Sequence, residues 1–122
     1  MTNKIWMTIT SIILLIFAII LVFLPQETSA YLGLEDHFSV FLQLLGAVYF
    51  GFGMMNWMAK GLLIGGIYGK PIAMGNFCHF AVGALGLVKI ISGESNLALI
   101  VITALYVILA VGHGMIFFRS AA

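Results

Sequence analysis

Four apolar stretches of about twenty residues, none of them containing an acidic side chain, decide what this chain can fold into. The first, IWMTITSIILLIFAIILVFL, covers residues 5–24 and stops at Pro25; the others are expected at 38–59, 71–91 and 97–118. A helix of about twenty residues rises ~30 Å, the thickness of a bilayer's hydrocarbon core. No water is present in that core to bond N–H and C=O groups, so each segment must satisfy its own backbone. The alternating pattern of a membrane barrel strand is missing. The expected fold class is therefore all-α: a polytopic membrane protein whose residues 1–122 form a single four-transmembrane-helix bundle.

Composition agrees that lipid is the solvent. The chain is 63% hydrophobic and 7% charged, where a soluble domain is about a quarter charged. Small domains leave much of their surface exposed, so the apolar surplus has to face the bilayer. A net charge of +1, without a basic stripe, argues against a nucleic-acid partner. Cys78 is the one cysteine, which excludes an intrachain disulfide and the paired-cysteine redox and zinc motifs. The first stretch reads as a retained helix, because its apolar run exceeds the ~7–15 residues usual in a cleaved signal peptide.

Basic residues set the expected orientation. Lys4, Lys60, Lys70 and Arg119 fall on one side of four spans, and Glu27, Glu35, Asp36 and Glu94 fall on the other, with Lys89 near them. By the positive-inside rule both termini are cytoplasmic and the protein is a multi-pass protein of the inner membrane. The PQETSAYLGLEDH connection is then external, with a short interfacial turn in SAYLGLEDHF. KGLLIGGIYGKP is a glycine-rich cytoplasmic loop, and SGESN is a tight external hairpin. Ser95 or Asn96 caps the fourth helix. His37, with Glu35 and Asp36, reads as a solvated helix start.

Positions spaced three and four apart share a helix face. The stripes expected to face inward are Thr8, Ser11, Leu15 and Ala18; Gln43, Gly46, Phe50, Gly53 and Trp57; Asn76, His79, Gly83 and Gly86; and Thr103, Tyr106, Ala110 and His113. Lipid provides no hydrophobic force between helices, so small residues and cross-helix hydrogen bonds hold a membrane bundle together. Phe77, Cys78 and Phe80 are placed off the third stripe. By ~1.5 Å of rise per residue, His79 lies about 12 Å deep, and Asn76 and His113 about 8 Å. Asn56, Asn76, His79 and His113 are thus expected in the cytoplasmic half, with Lys60, Tyr68 and Lys70 at the mouth.

Three readings of that cluster stay open. The polar side chains bond across helices and do nothing more. Alternatively, they bind or transport a small amphipathic ligand, a lipid or a quinone, since ionisable groups inside a membrane are rare and usually functional. Least favoured is a haem b held by His79 and His113. No acidic residue lies within a span, so a carboxylate base is missing, and no catalytic residue, metal site or resident cofactor is expected. The faces left over by one small bundle suggest other membrane subunits or a homo-oligomer as partners. GMMNWMAKG and AMGNFCHFAVG both set an asparagine before an aromatic residue, a pattern that two duplicated hairpins would produce.

The segments FLQLLGAVYFGFGMMNW and GKPIAMGNFCHFAVGALGL, set in four short spans, resemble the small four-helix bacterial membrane proteins loosely related to the DoxX-like group. The resemblance covers most of the chain and implies the four-span architecture. Some of those relatives are linked to quinone or thiosulfate respiration, and no catalytic motif carries over to residues here. The expected function is a non-catalytic structural or accessory subunit of a larger membrane complex.

Overall fold

The chain divides into two compact units, Met1–Lys60 and Gly61–Ala122, each built on one pair of long helices. The computed structural model describes residues 2–62, 67, 69–93 and 96–121, and all regular structure among them is helical. Four helices are long and apolar enough to cross a membrane: Asn3–Phe23, Asp36–Ala59, Gly69–Ile91 and Leu97–Arg119. Exposed isoleucine, leucine, valine and phenylalanine side chains line all four. This is the surface of an integral, multi-pass membrane protein.

In the first unit, α1 (Thr2–Phe23) packs on α3 (Ser39–Ala59). The connection contains a helix that was expected as loop, α2 (Pro25–Tyr31). Leu24 breaks α1, and Pro25 restarts the helix at its first position, where proline's missing N–H has no partner to lose. Glu27 sits in the first turn, where an anion suits the helix dipole. The end of α2 is a Schellman motif: Leu34 N–H donates to Ser29 C=O (2.8 Å) and Gly33 N–H to Ala30 C=O (3.1 Å). Gly33 takes φ of 75°, which a residue with a Cβ rarely adopts. The buried Ser29 hydroxyl then donates to Glu35 C=O (3.0 Å), tying α2 to the 3-10 turn Asp36–Phe38.

The α1–α3 seam is small and polar. Ser11 donates to Gly53 C=O at 2.7 Å. A Cβ at Gly46 would stand 2.8 Å from Val22 Cγ2, 3.0 Å from Leu21 Cβ and 3.2 Å from the Ala18 carbonyl oxygen. The buried residues of α1 are Met7, Thr10, Ser11, Leu14, Ala18 and Leu21. The expected stripe is therefore rotated: Thr8 and Leu15 are only partly buried, and Thr10 and Leu14 replace them. Thr8 needs no partner helix, because its hydroxyl donates to Lys4 C=O at 2.7 Å. On α3 the buried positions are Gly46, Tyr49, Gly53, Asn56 and Ala59. Gln43, Phe50 and Trp57, expected inside, are exposed.

In the second unit, α4 (Gly69–Ile91) packs on α5 (Leu97–Ala121). Pro71 lies within the first turn of α4, where proline is tolerated, so the helix starts ahead of it. Asn96 Oδ1 accepts from Ala98 N–H at 2.8 Å and caps α5. Ser95, Glu94 and most of the 63–68 loop, Tyr68 included, lie outside the described residues. Both α1 and α5 run past the expected limits at residues 5 and 118, since a helix can continue beyond the hydrocarbon with its backbone bonds intact.

The two hairpins share a seam pattern. The second helix of each carries a tyrosine, a small residue one turn on, and a buried polar side chain a turn later: Tyr49, Gly53 and Asn56 in α3, Tyr106, Ala110 and His113 in α5. The first helices match as well, with Thr10, Leu14 and Ala18 against Asn76, Phe80 and Ala84, all of them buried. The two Asn-aromatic segments lie instead on non-corresponding helices, α3 and α4.

Candidate functional site

The chemistry of the second unit centres on Phe80. The ring is fully buried, not turned off the inward face as its place beside His79 suggested. It meets the rings of three neighbours. His113 stacks on it at 5.6 Å and 10°, Tyr106 meets it edge-on at 5.1 Å, and His79 edge-on at 4.8 Å. His113, at 1% exposure, is thus held at the level of Phe80, one residue from His79.

His79 is half-buried and shares a hydrogen bond of 3.0 Å between its Nε2 and the Tyr106 hydroxyl; the imidazole tautomer sets which group donates. Room for Tyr106 comes from Gly83, one turn along α4, where a Cβ would come within 2.6 Å of the tyrosine ring. Tyr106 shares the expected stripe with His113, but the sequence reading does not place it in the site. A large aromatic facing a glycine across two helices was the available signal. Gly86, expected inside, is exposed, and a Cβ added there would meet nothing within 4 Å.

Of the remaining site residues, Asn76 is fully buried in the second turn of α4. Asn56 and Lys60 belong to the first unit. Asn56 is fully buried, and its Nδ2 donates back to Phe52 C=O at 2.9 Å. The Lys60 ammonium lies 3.3 Å from the centroid of the Trp57 ring, a cation–π contact that already engages the charge expected to attract a ligand. Cys78 is exposed, with its Sγ 3.4 Å from Met74 Sδ, as expected of a residue off the seam.

Among the described residues, no buried side-chain nitrogen or oxygen lacks a hydrogen-bond partner. Nor do three or more histidine, cysteine or carboxylate side chains gather as a metal site would need. His37 Nδ1 lies 3.2 Å from Glu35 Oε2, both side chains exposed, consistent with the solvated helix start read from the sequence.

Tyr106→Phe tests how much the His79 contact holds. Cross-helix hydrogen bonds in membranes average about 0.6 kcal/mol, because the unfolded chain also finds partners. The substitution is expected to lower unfolding stability in detergent by that amount and to shift the His79 Nε2 resonance in ¹⁵N spectra. An unmoved resonance would mean that the bond is not made in solution.

No family model matches the chain, and no curated protein or solved structure is significantly similar to it.

Proposed function

We propose that this integral membrane protein is a non-catalytic subunit whose spans pack against other membrane proteins, in the inner membrane and with both termini cytoplasmic. The observation that carries the reading is the complete internal satisfaction of the buried polar side chains among the described residues. A catalytic or binding site presents donors and acceptors to an incoming molecule, whereas these groups bond within the chain. They act as glue between helices. The broad exposed apolar faces of α3 and α4, whose spans are 17% buried against 33% and 39% for α1 and α5, leave surface for neighbouring subunits. The DoxX-like resemblance fits such a small four-span subunit.

A second reading has one specific support. His79 is half-buried, and its hydrogen bond to Tyr106 orients the ring, so a quinone or lipid headgroup reaching it would meet a positioned polar group. Chemical cross-linking in intact membranes, followed by native mass spectrometry, separates the two. The subunit reading expects a defined protein complex or homo-oligomer that persists in His79→Ala. A monomer that carries a small amphipathic molecule, lost in His79→Ala, would replace it with the ligand reading. A Soret band in the purified protein's spectrum would instead point to haem.

A further inference from the structure

An open groove of about 620 Å³ runs along the second unit, and none of the polar cluster just described lines it. Its lining is Phe77 of α4 with Ala110, Val111, Gly114, Met115 and Phe118 of α5, and Arg119 belongs to the same groove. The Phe77 ring lies across Gly114, where an added Cβ would stand 3.0 Å from it, and the small Ala110 lines the groove one turn earlier. Val111, Met115 and Phe118 are more than half exposed, so the groove opens outward.

Arg119 gives the groove a charged end. It is exposed in the last turn of α5, and its one described hydrogen bond is a long 3.5 Å contact from Nε to Met115 C=O. Among the described residues it joins no ion pair. The single acidic residue in this unit's sequence, Glu94, belongs to the connection at the other end of the helix pair. Among the described residues, then, no carboxylate pairs with the guanidinium at the end of this open apolar groove, where the span ends.

The length matches a lipid. Ala110 to Arg119 is nine residues, about 13 Å at ~1.5 Å per residue. One leaflet's share of a ~30 Å hydrocarbon core is about 15 Å. We propose that the groove holds an anionic phospholipid, with an acyl chain against Phe77, Ala110 and Gly114 and the phosphate on Arg119. Arginine suits the phosphate because its planar fork bonds two oxygens at once. This assignment needs the chain to span the bilayer and does not depend on which side Arg119 faces.

The test uses the full chain, purified in mild detergent, exposed to an equal mixture of dioleoyl phosphatidylglycerol and phosphatidylcholine, and read by native mass spectrometry. Retained phosphatidylglycerol is expected to exceed phosphatidylcholine at least several-fold. Arg119→Gln should bring the ratio close to one, and Arg119→Lys should keep part of the preference. Ala110→Phe, which fills the groove, should reduce retention of both lipids. Lys89→Gln, at the other end of α4, should change nothing. Equal retention of the two lipids by the unaltered protein overturns the proposal. So does an unchanged ratio in Arg119→Gln, an equal loss in Lys89→Gln, or a groove occupied by a second copy of the chain with no lipid retained.

Discussion

Gly46→Leu is expected to destabilise the first hairpin by about 2–3 kcal/mol, the upper part of the ~1–3 kcal/mol that forcing side-chain volume into a filled seam costs. The new Cβ meets Val22 Cγ2, which can shift, and also Leu21 Cβ at 3.0 Å and the Ala18 carbonyl oxygen at 3.2 Å, both fixed by the α1 backbone. Relief therefore requires α1 and α3 to move apart. That movement would stretch the 2.7 Å bond from Ser11 to Gly53, a specific contact of the seam. Gly51→Leu is the matched control. It lies on the same helix with nothing within 4 Å of its added Cβ, so it should stay within about 0.5 kcal/mol of the unaltered protein. Denaturant unfolding in micelles, followed by circular dichroism, compares the two. Equal midpoints would refute the close helix approach.

Phe80→Ala is the second large effect. In water-soluble cores this change costs about 3–5 kcal/mol, from lost transfer energy plus the cavity left behind. Here the unfolded reference is solvated by lipid, so the transfer part shrinks and packing dominates. A loss of about 3 kcal/mol is therefore expected. The same change removes the ring on which His113 stacks and the edge contacts to Tyr106 and His79. The imidazole resonances of both histidines should broaden or move. Val82→Ala, on an exposed face of the same helix, should fall within about 0.5 kcal/mol of the unaltered protein. If Phe80→Ala is equally mild, Phe80 faces lipid, and the sequence-based placement would stand after all.

Four spans, the break at Pro25 and the Asn96 cap were legible in the sequence because each has a local cause: twenty apolar residues, a missing N–H, a side-chain acceptor before a helix. The helix α2 was less legible, as PQETSAY is polar and short, and its stability comes partly from tertiary ties such as Ser29 to Glu35. Rotation of the helices was the main thing misread. Leu15 in place of Leu14, Trp57 set inward beside the buried Asn56, and Phe80 set outward beside His79 are errors of about one residue, or ~100° around the axis, and Thr8 in place of Thr10 is an error of two. Marking polar residues as inward fails in lipid for a plain reason. A threonine bonded to its own helix, or a tryptophan under a lysine, can face outward at little cost.

By itself, then, the sequence determined the solvent, the number of spans and their helical structure, since backbone satisfaction in hydrocarbon leaves helices as the available choice for apolar runs of this length. Tertiary structure decided which stripe of each helix is buried. Both faces of these helices are apolar, so burial of hydrophobic surface does not choose between them. Close packing does: Gly46 admits Leu21 and Val22, Gly83 admits Tyr106, and Gly114 admits Phe77. Those fits set the rotation that buries Phe80 and His113 and opens the groove that ends at Arg119.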